Sequence, residues 1–413
     1  MTAEETHGLD DEIAARGEAI AGLLADAVRR PSVTGAERAV ADFFADWMRA
    51  HGWDVELQPL AGTDLAASEE HVGDRANVIG YPFGRPRPGD RTIVFNGHLD
   101  VVPEGDHAAW THPPFDGVRE GGRVHGRGTV DMKGGIAAAL IALDVLREHA
   151  EPLSHLPVVH LVIGEERTGV GTRLALSLAD PPAAAVVLEP TGNALVTACT
   201  GLQFFRVEAS GVAAHSSAPW LGVDALARLL VLRETMLATA AARSAGFAHP
   251  RFAEVPTGIP FNIGLLDAGE YQASVPARAR MTGRIGLKPG EDPEHARAVF
   301  ADALAAVVRD DPHEREHPHR LEWLGAPYPG WETSESGELA TAFVRGLEFV
   351  DGAAELRGFT AGNDAGQYAA LGVPTLVFGP GDTSLAHTAN ESVAEAELLR
   401  AARTIAHALR VLP

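Results

Sequence analysis

The chain has 413 residues, 46% of them apolar and 22% charged, a balance that excludes a disordered or fibrous protein and leaves room for two domains with sizeable cores. Its 34 Lys and Arg against 56 Asp and Glu give a formal net charge of −22, a field that repels nucleic acid and anionic lipid and argues against either as a partner. Cys199 is the only cysteine, so no internal disulfide and no Cys-rich zinc motif is available. The N-terminal stretch MTAEETHGLDDEIAARGEAI is acidic and polar where a secretory signal would be basic and then apolar. No run reaches the roughly 20 apolar residues of a membrane span, so a cytoplasmic location is expected.

Between Asp10 and Ala50, helical spacing of Ile13, Ile20, Leu23, Leu24 and Val28, then of Val40, Phe43, Phe44 and Met48, predicts two amphipathic helices separated at Thr34-Gly35. Short β-rich runs follow at Thr92 to Asn96, Val158 to Ile163 and Ala185 to Leu188, with a helix from Gly135 to His149. This alternation predicts an α/β domain with a mixed, largely parallel sheet flanked by helices. Around Thr200 the texture changes. Strands at Phe204 to Ala209, Phe261 to Leu266 and Ala277 to Leu287, with helices at Val223 to Ala242 and Pro293 to Val308, give a β-α-β-β-α order of the size of a small split-βαβ unit. The Pro- and His-rich stretch from Asp310 to Arg320 is expected to return the chain to the first domain. A helix near Gly337 to Phe349, a strand at Thr375 to Phe378 and a closing helix from Ala394 to Val411 complete it. The expected division is 1–199 and 318–413 for the larger domain, with 200–317 inserted as an α+β, ferredoxin-like domain.

Chemistry gathers just beyond the strands. In Asn96-Gly97-His98-Leu99-Asp100, His98 falls after an apolar strand, where ligand sites of open α/β sheets form. Asp100, two residues on, is placed to accept the second ring N–H of His98 and fix its tautomer. In Gly126-Arg127-Gly128-Thr129-Val130-Asp131-Met132-Lys133-Gly134-Gly135, glycine pairs bracket an acidic residue at a helix start. Asp131 there is able to bridge two cations, or to act as a plain helix cap. Glu165 and Glu166 are adjacent carboxylates after the strand VVHLVI and repel each other unless cations or a shared proton offset them. Glu189 repeats the pattern after a further strand, and His387 follows Gly379-Pro380-Gly381.

In that order and those settings, these residues resemble a family of co-catalytic metallohydrolases containing acetylornithine deacetylase, succinyl-diaminopimelate desuccinylase, aminoacylase and glutamate carboxypeptidase. The resemblance runs from about residue 15 to the C-terminus. It implies two divalent ions, zinc before cobalt or manganese, with Asp131 bridging, His98 and Glu189 completing one site, and Glu166 and His387 the other. It further implies Glu165 as general base, Asp100 as a supporting catalytic residue and a cis peptide at Asp131-Met132. The inserted domain resembles the family's lid, which mediates a homodimer. Its His215, in Gly211-Val212-Ala213-Ala214-His215-Ser216-Ser217, matches a histidine that reaches across the dimer to an oxyanion, and Asn262 matches a substrate contact.

The chain departs from the family where many relatives read Asp-x-Arg-x-x-Pro-Gly. Here Gly283-Arg284-Ile285-Gly286-Leu287-Lys288-Pro289-Gly290 puts Gly286 at the usual arginine position and Arg284 two residues earlier, on the same face of a strand. Arg284 is therefore either a shifted anchor for a substrate carboxylate or structural. Gly362 and Asn363 are candidate donors to that carboxylate, with Asp364 buttressing their loop. His313, His317 and His319 lie in a charged, Pro-rich stretch read as a solvated connection. The expected function is hydrolysis of the amide bond of an N-acylated amino acid or related small N-acyl amine. A dipeptidase or carboxypeptidase is the nearest alternative, and a catalytically silent metal-binding dimer scaffold is the alternative of another class.

Overall fold

The segment from Gly134 to Leu143 is apolar around its whole circumference, so as a helix it has no face to give to water. Gly134 through Leu146 are accordingly all buried, and the helices Gly17–Val28 and Glu395–Val411 pack on it. A computed structural model describes residues 3–413 and divides the chain into two units.

The first unit comprises Met1–Thr197, Thr333–Arg357 and Asn363–Pro413. Its sheet runs in the order Asp54–Pro59, Ala76–Tyr81, Leu156–Val162, Thr92–His98, Ala184–Val187, Thr375–Val377 and Leu195–Cys199. The strands Leu156–Val162, Thr92–His98, Ala184–Val187 and Thr375–Val377 are mutually parallel, and the strands outside them pair antiparallel. The parallel strands read as near-continuous apolar runs because both faces are covered; Ile93, Phe95, Val159, Leu161, Val186 and Val187 are all buried. The helix Arg38–Ala50 buries Val40, Ala41, Phe44, Ala45 and Met48 on one stripe. The mixed, largely parallel sheet flanked by helices is as the sequence implies. Asp54–Pro59 and Ala76–Tyr81 are additional strands at its edge.

The second unit comprises Ala198–Glu332 and Gly358–Gly362. Its order is strand Gly201–Ser210, helix Ala225–Ala245, strands Asn262–Ala268 and Arg278–Leu287, helix Pro293–Val307 and strand Arg320–Tyr328. The sheet order is Asn262–Ala268, Arg278–Leu287, Gly201–Ser210, Arg320–Tyr328, all antiparallel, which completes the ferredoxin-like βαβ-βαβ pattern. Asp224 and Asp292 start the two helices, Asp224 accepting the backbone N–H groups of Leu226 and Ala227 and Asp292 that of Glu294. Phe205, Val207, Leu229, Leu232, Met281, Ile285 and Phe300 fill the core between helices and sheet.

The expected boundary at 318 is corrected by the last of these strands. Leu321 and Trp323 pack against that core, and Arg320–Tyr328 pairs with Gly201–Ser210, so this segment belongs to the second unit. The stretch before it is a turn organised by Arg228, which bonds Asp311 Oδ2 at 2.8 Å, Glu314 Oε2 at 2.6 Å and the His317 carbonyl at 2.6 Å. His319 Nδ1 lies 2.6 Å from Glu314 Oε1. Among the described residues, no group of potential metal ligands includes these histidines.

Candidate metal centre

Parallel strands carry their carboxyl ends to one edge of the sheet, so residues that follow them in sequence meet in space. His98 closes Thr92–His98, Glu165 and Glu166 follow Leu156–Val162, Glu189 follows Ala184–Val187, and the loop bearing His387 follows Thr375–Val377. Glycine makes two of the approaches possible. Gly164 takes φ +71 at the turn into Glu165, a left-handed conformation that L side chains rarely adopt. Gly135 has no side chain because a Cβ there would stand 2.2 Å from the Leu188 carbonyl oxygen, one residue before Glu189. Asp131 sits in the Thr129–Lys133 turn ahead of the buried helix, and the Asp131-Met132 peptide is cis.

Asp131 touches both imidazoles. Its Oδ1 lies 2.9 Å from His98 Nε2 and its Oδ2 3.2 Å from His387 Nε2. Glu166 Oε2 is 3.1 Å from His387 Nε2, and Glu189 Oε1 is 3.8 Å from His98 Nε2. Candidate ligand atoms of His98, Glu165 and Glu189 lie within 4.8 Å of one another, as do those of His98, Asp131 and Glu166. His387 holds a left-handed backbone, φ +61, uncommon for a residue with a side chain and a frequent mark of functional loops.

The role expected of Asp100 needs correction. The ring of His98 is oriented by the backbone carbonyl of Asp100, 2.8 Å from Nδ1, while the carboxylate stands 3.8 Å away. That carboxylate instead accepts the N–H of Glu165 at 3.1 Å, the N–H of Glu166 at 3.2 Å and the Thr34 hydroxyl at 2.8 Å. Asp100 therefore sets the direction of the two adjacent glutamates. Asp364 is fully buried and accepts from Thr172 Oγ1 at 2.7 Å and Gln367 Nε2 at 2.6 Å. It stabilises its loop, as expected, and burial raises its carboxyl to about 6.

Like charges crowd the cluster. Burial first, then repulsion from Glu189, pushes Glu165 well above the usual carboxylate range. Burial and the Asp131 charge do the same to Glu189, and burial raises Glu166. Among the described residues, no Lys or Arg pairs with any of these side chains; the only cationic groups beside them are His98 and His387. Glu166 Oε1 is buried with no hydrogen-bond partner. An orphaned carboxylate oxygen among like charges, with oxygen and imidazole donors and no thiolate, is the chemistry a divalent cation fits.

Hydrogen bonds to Asp131 and Glu166 raise His387 to about 10. Its positive charge therefore stabilises the metal-free fold fully below about pH 6.5, a contribution lost as pH rises through about 10. A cation must displace that proton. Calorimetric zinc titrations in buffers of different ionisation enthalpy are expected to show release on the order of one proton per ion at pH 7, with affinity rising from pH 6 to 9. Affinity independent of pH would contradict protonated ligands.

The remaining expected site residues lie elsewhere in the chain or are engaged differently. Asn363 is buried and its Oδ1 accepts the Ala365 N–H at 3.0 Å. In the second unit, Arg284 and Asn262 are register partners on adjacent strands. Arg284 Nη2 donates to the Thr360 carbonyl at 3.1 Å, its Nε is buried without a partner, and burial lowers its pKa. Gly362 belongs to the same unit, where a Cβ would stand 2.9 Å from Leu202. His215 is exposed, and the Ser217 N–H donates to its Nδ1 at 3.2 Å. In the neutral ring this leaves the proton on Nε2. One residue near the centre had no role assigned from sequence: Glu391, four residues after His387.

Residues 94–411 match Peptidase family M20/M25/M40. The chain is 31% identical to a "Probable carboxypeptidase" of Aspergillus terreus over 382 residues, 90% of this chain and 82% of that one. Its fold is similar to a dipeptidase from Saccharomyces cerevisiae, with TM-score 0.75 and 15% identity over 100% of this chain and 99% of that one. It is also similar to a dinuclear metal-binding peptidase from Bacillus subtilis, with TM-score 0.67 and 13% identity over 96% and 98% of the two chains.

Proposed function

The chain belongs to Peptidase family M20/M25/M40, and on that premise we propose that it hydrolyses an amide bond whose nitrogen belongs to an amino acid with a free carboxylate. The observation that carries this reading is the gathering of Asp131, Glu165, Glu166 and Glu189 with His98 and His387 at one sheet edge, with no Lys or Arg among the described residues paired to offset them. His98, Asp131 and Glu189 would hold one divalent ion, zinc by donor set, and Asp131, Glu166 and His387 the other. When bound, such a pair polarises a scissile carbonyl and acidifies water.

The chain's own residues then divide the work. Glu165 takes a proton from the attacking water as the water oxygen bonds to the carbonyl carbon, and returns that proton to the nitrogen as the C–N bond breaks; the remaining proton of the new carboxylic acid passes to the amine, so that the products are a carboxylate and an ammonium group. Asp100 holds Glu165 in place through its backbone N–H. His215, carrying its proton on Nε2, donates to the developing oxyanion from the partner of a homodimer. Mixing Glu165→Gln with His215→Ala subunits tests that last role. Random exchange in a two-fold dimer puts half the chains in heterodimers with one complete site each, so activity is expected to recover to about a quarter of wild type; no recovery would confine His215 to its own subunit or remove it from catalysis.

A C-terminal peptide bond and an N-acylated amino acid both present this amide. The name carried by the Aspergillus terreus relative favours release of a C-terminal residue from a short peptide. The resemblance of the His98, Asp131, Glu165, Glu166, Glu189 and His387 motifs to a family that includes acetylornithine deacetylase and succinyl-diaminopimelate desuccinylase favours the N-acyl amino acid, which stands second. Arg284 is the proposed carboxylate anchor, because it is a largely buried cation with no anionic partner among the described residues. A panel of dipeptides, longer peptides and N-acetyl, N-formyl and N-succinyl amino acids separates the two readings. Within it, Arg284→Ala is expected to raise KM about 10- to 100-fold, the worth of a charge-assisted hydrogen bond, for free acids and not for their amides. Equal KM values for acid substrates in wild type and variant would remove Arg284 from recognition.

A further inference from the structure

Glu391 is fully buried, and every acceptor position of its carboxylate is used on a single segment. Oε1 accepts the N–H of Val130 at 2.8 Å and of Asp131 at 3.2 Å; Oε2 accepts the N–H of Gly128 at 3.0 Å and Arg127 Nη1 at 2.7 Å. The backbone carbonyl of Glu391 also accepts the Gly126 N–H at 2.9 Å. The chain on either side of it is fixed as well. Asn390 bonds Thr111 N at 2.6 Å and the Ala109 carbonyl at 3.1 Å, and Ser392–Ala394 pairs antiparallel with Arg123–His125.

This arrangement joins two ligand loops that are distant in sequence. Asp131 lies at the end of the segment Glu391 holds, and His387 lies four residues before Glu391 in the same loop, with Nε2 3.2 Å from Asp131 Oδ2. The peptide N–H groups of Val130 and Asp131 have no helical partners in this irregular turn, and in a buried site they require an acceptor. A carboxylate supplies four such positions with one side chain. The Arg127 guanidinium offsets its charge, and Arg127 is itself 3% exposed.

We propose that Glu391 is a positioning residue: it clamps the Asp131 turn to the His387 loop, so that the shared carboxylate and the late histidine keep their spacing before any cation arrives. The inference rests on the two-metal reading above. It follows that the cost of removing Glu391 appears first in cation affinity, because the ligands must then be ordered by the cation itself. Supporting groups of this kind alter metal affinity about 10- to 100-fold when removed.

The test is zinc affinity of the full metal-free chain, measured by competition with a chromophoric chelator, alongside the melting temperature of the metal-free protein. In Glu391→Gln the shape is kept, but an NH2 group replaces one oxygen and faces N–H donors on whichever side it takes. Zinc affinity is expected to fall about 10- to 100-fold. Glu391→Asp keeps the charge but draws it back by one methylene, and an intermediate loss is expected; this variant decides the matter if the glutamine form does not fold. A purely structural role predicts a lower melting temperature with wild-type zinc affinity in both variants, and that result would overturn the proposal. Absence of zinc binding in the wild type would instead sink the reading of the centre on which it depends.

Discussion

Glu165→Gln is expected to lower kcat by about 10²- to 10⁴-fold, the usual contribution of a positioned general base, with zinc content and KM near those of the wild type. The expectation separates two roles that the geometry allows for this residue. Glu165 falls within a group of candidate ligands with His98 and Glu189, whereas Glu166 Oε2 meets His387 and its Oε1 lies orphaned. If Glu166 ligates and Glu165 handles the proton, the amide loses catalysis and keeps the metal. Steady-state kinetics with metal analysis on the same sample reads both. Loss of a zinc ion from the variant would reassign Glu165 as a ligand and leave the base to be found elsewhere.

The largest effect is expected from Asp131→Asn. Asp131 is the carboxylate in contact with both histidines, one through each oxygen, so both cations depend on it. Asparagine offers one oxygen, no charge, and an amide nitrogen turned toward one of the imidazoles. Zinc content is expected to fall below two ions per chain. With the pair broken, several kcal/mol of transition-state stabilisation disappear, a rate loss on the order of 10³-fold or more. Metal analysis by plasma emission after gel filtration reads the first effect and turnover the second. A variant that retains both ions would show that Asp131 is not shared.

Much of this centre is legible in the sequence because the sheet is parallel. Once the strands before His98, Glu165, Glu189 and His387 are recognised as buried parallel runs, their carboxyl ends share an edge, and the residues after them share a site. What sequence does not reveal is which of several polar atoms takes which partner. Asp100 is two residues from His98, yet its carbonyl orients the ring because the carboxylate is drawn to the N–H groups of Glu165 and Glu166. Glu391 is invisible for the same reason: its partners lie about 260 positions earlier in the chain. The signal that was available is its place in the same short loop as His387, ahead of a buried strand.

The fold followed a similar division. Long helices and apolar strands were readable from period alone, including Ala225–Ala245 and Arg278–Leu287. The strands Asp54–Pro59 and Ala76–Tyr81 were not, since DVELQP and ANVIGY are short and mixed in polarity; they pair with each other, and Ala76–Tyr81 joins the sheet against Leu156–Val162. Arg320–Tyr328 was concealed by the charged run before it; only alternate residues, Leu321 and Trp323, meet the core.

The most direct test of the account is anomalous diffraction at the zinc edge from crystals of the zinc-loaded chain. Two peaks are expected on either side of Asp131, one against His98 and Glu189 and the other against Glu166 and His387. Density free of any peak at this sheet edge, or zinc held by other residues, would contradict it.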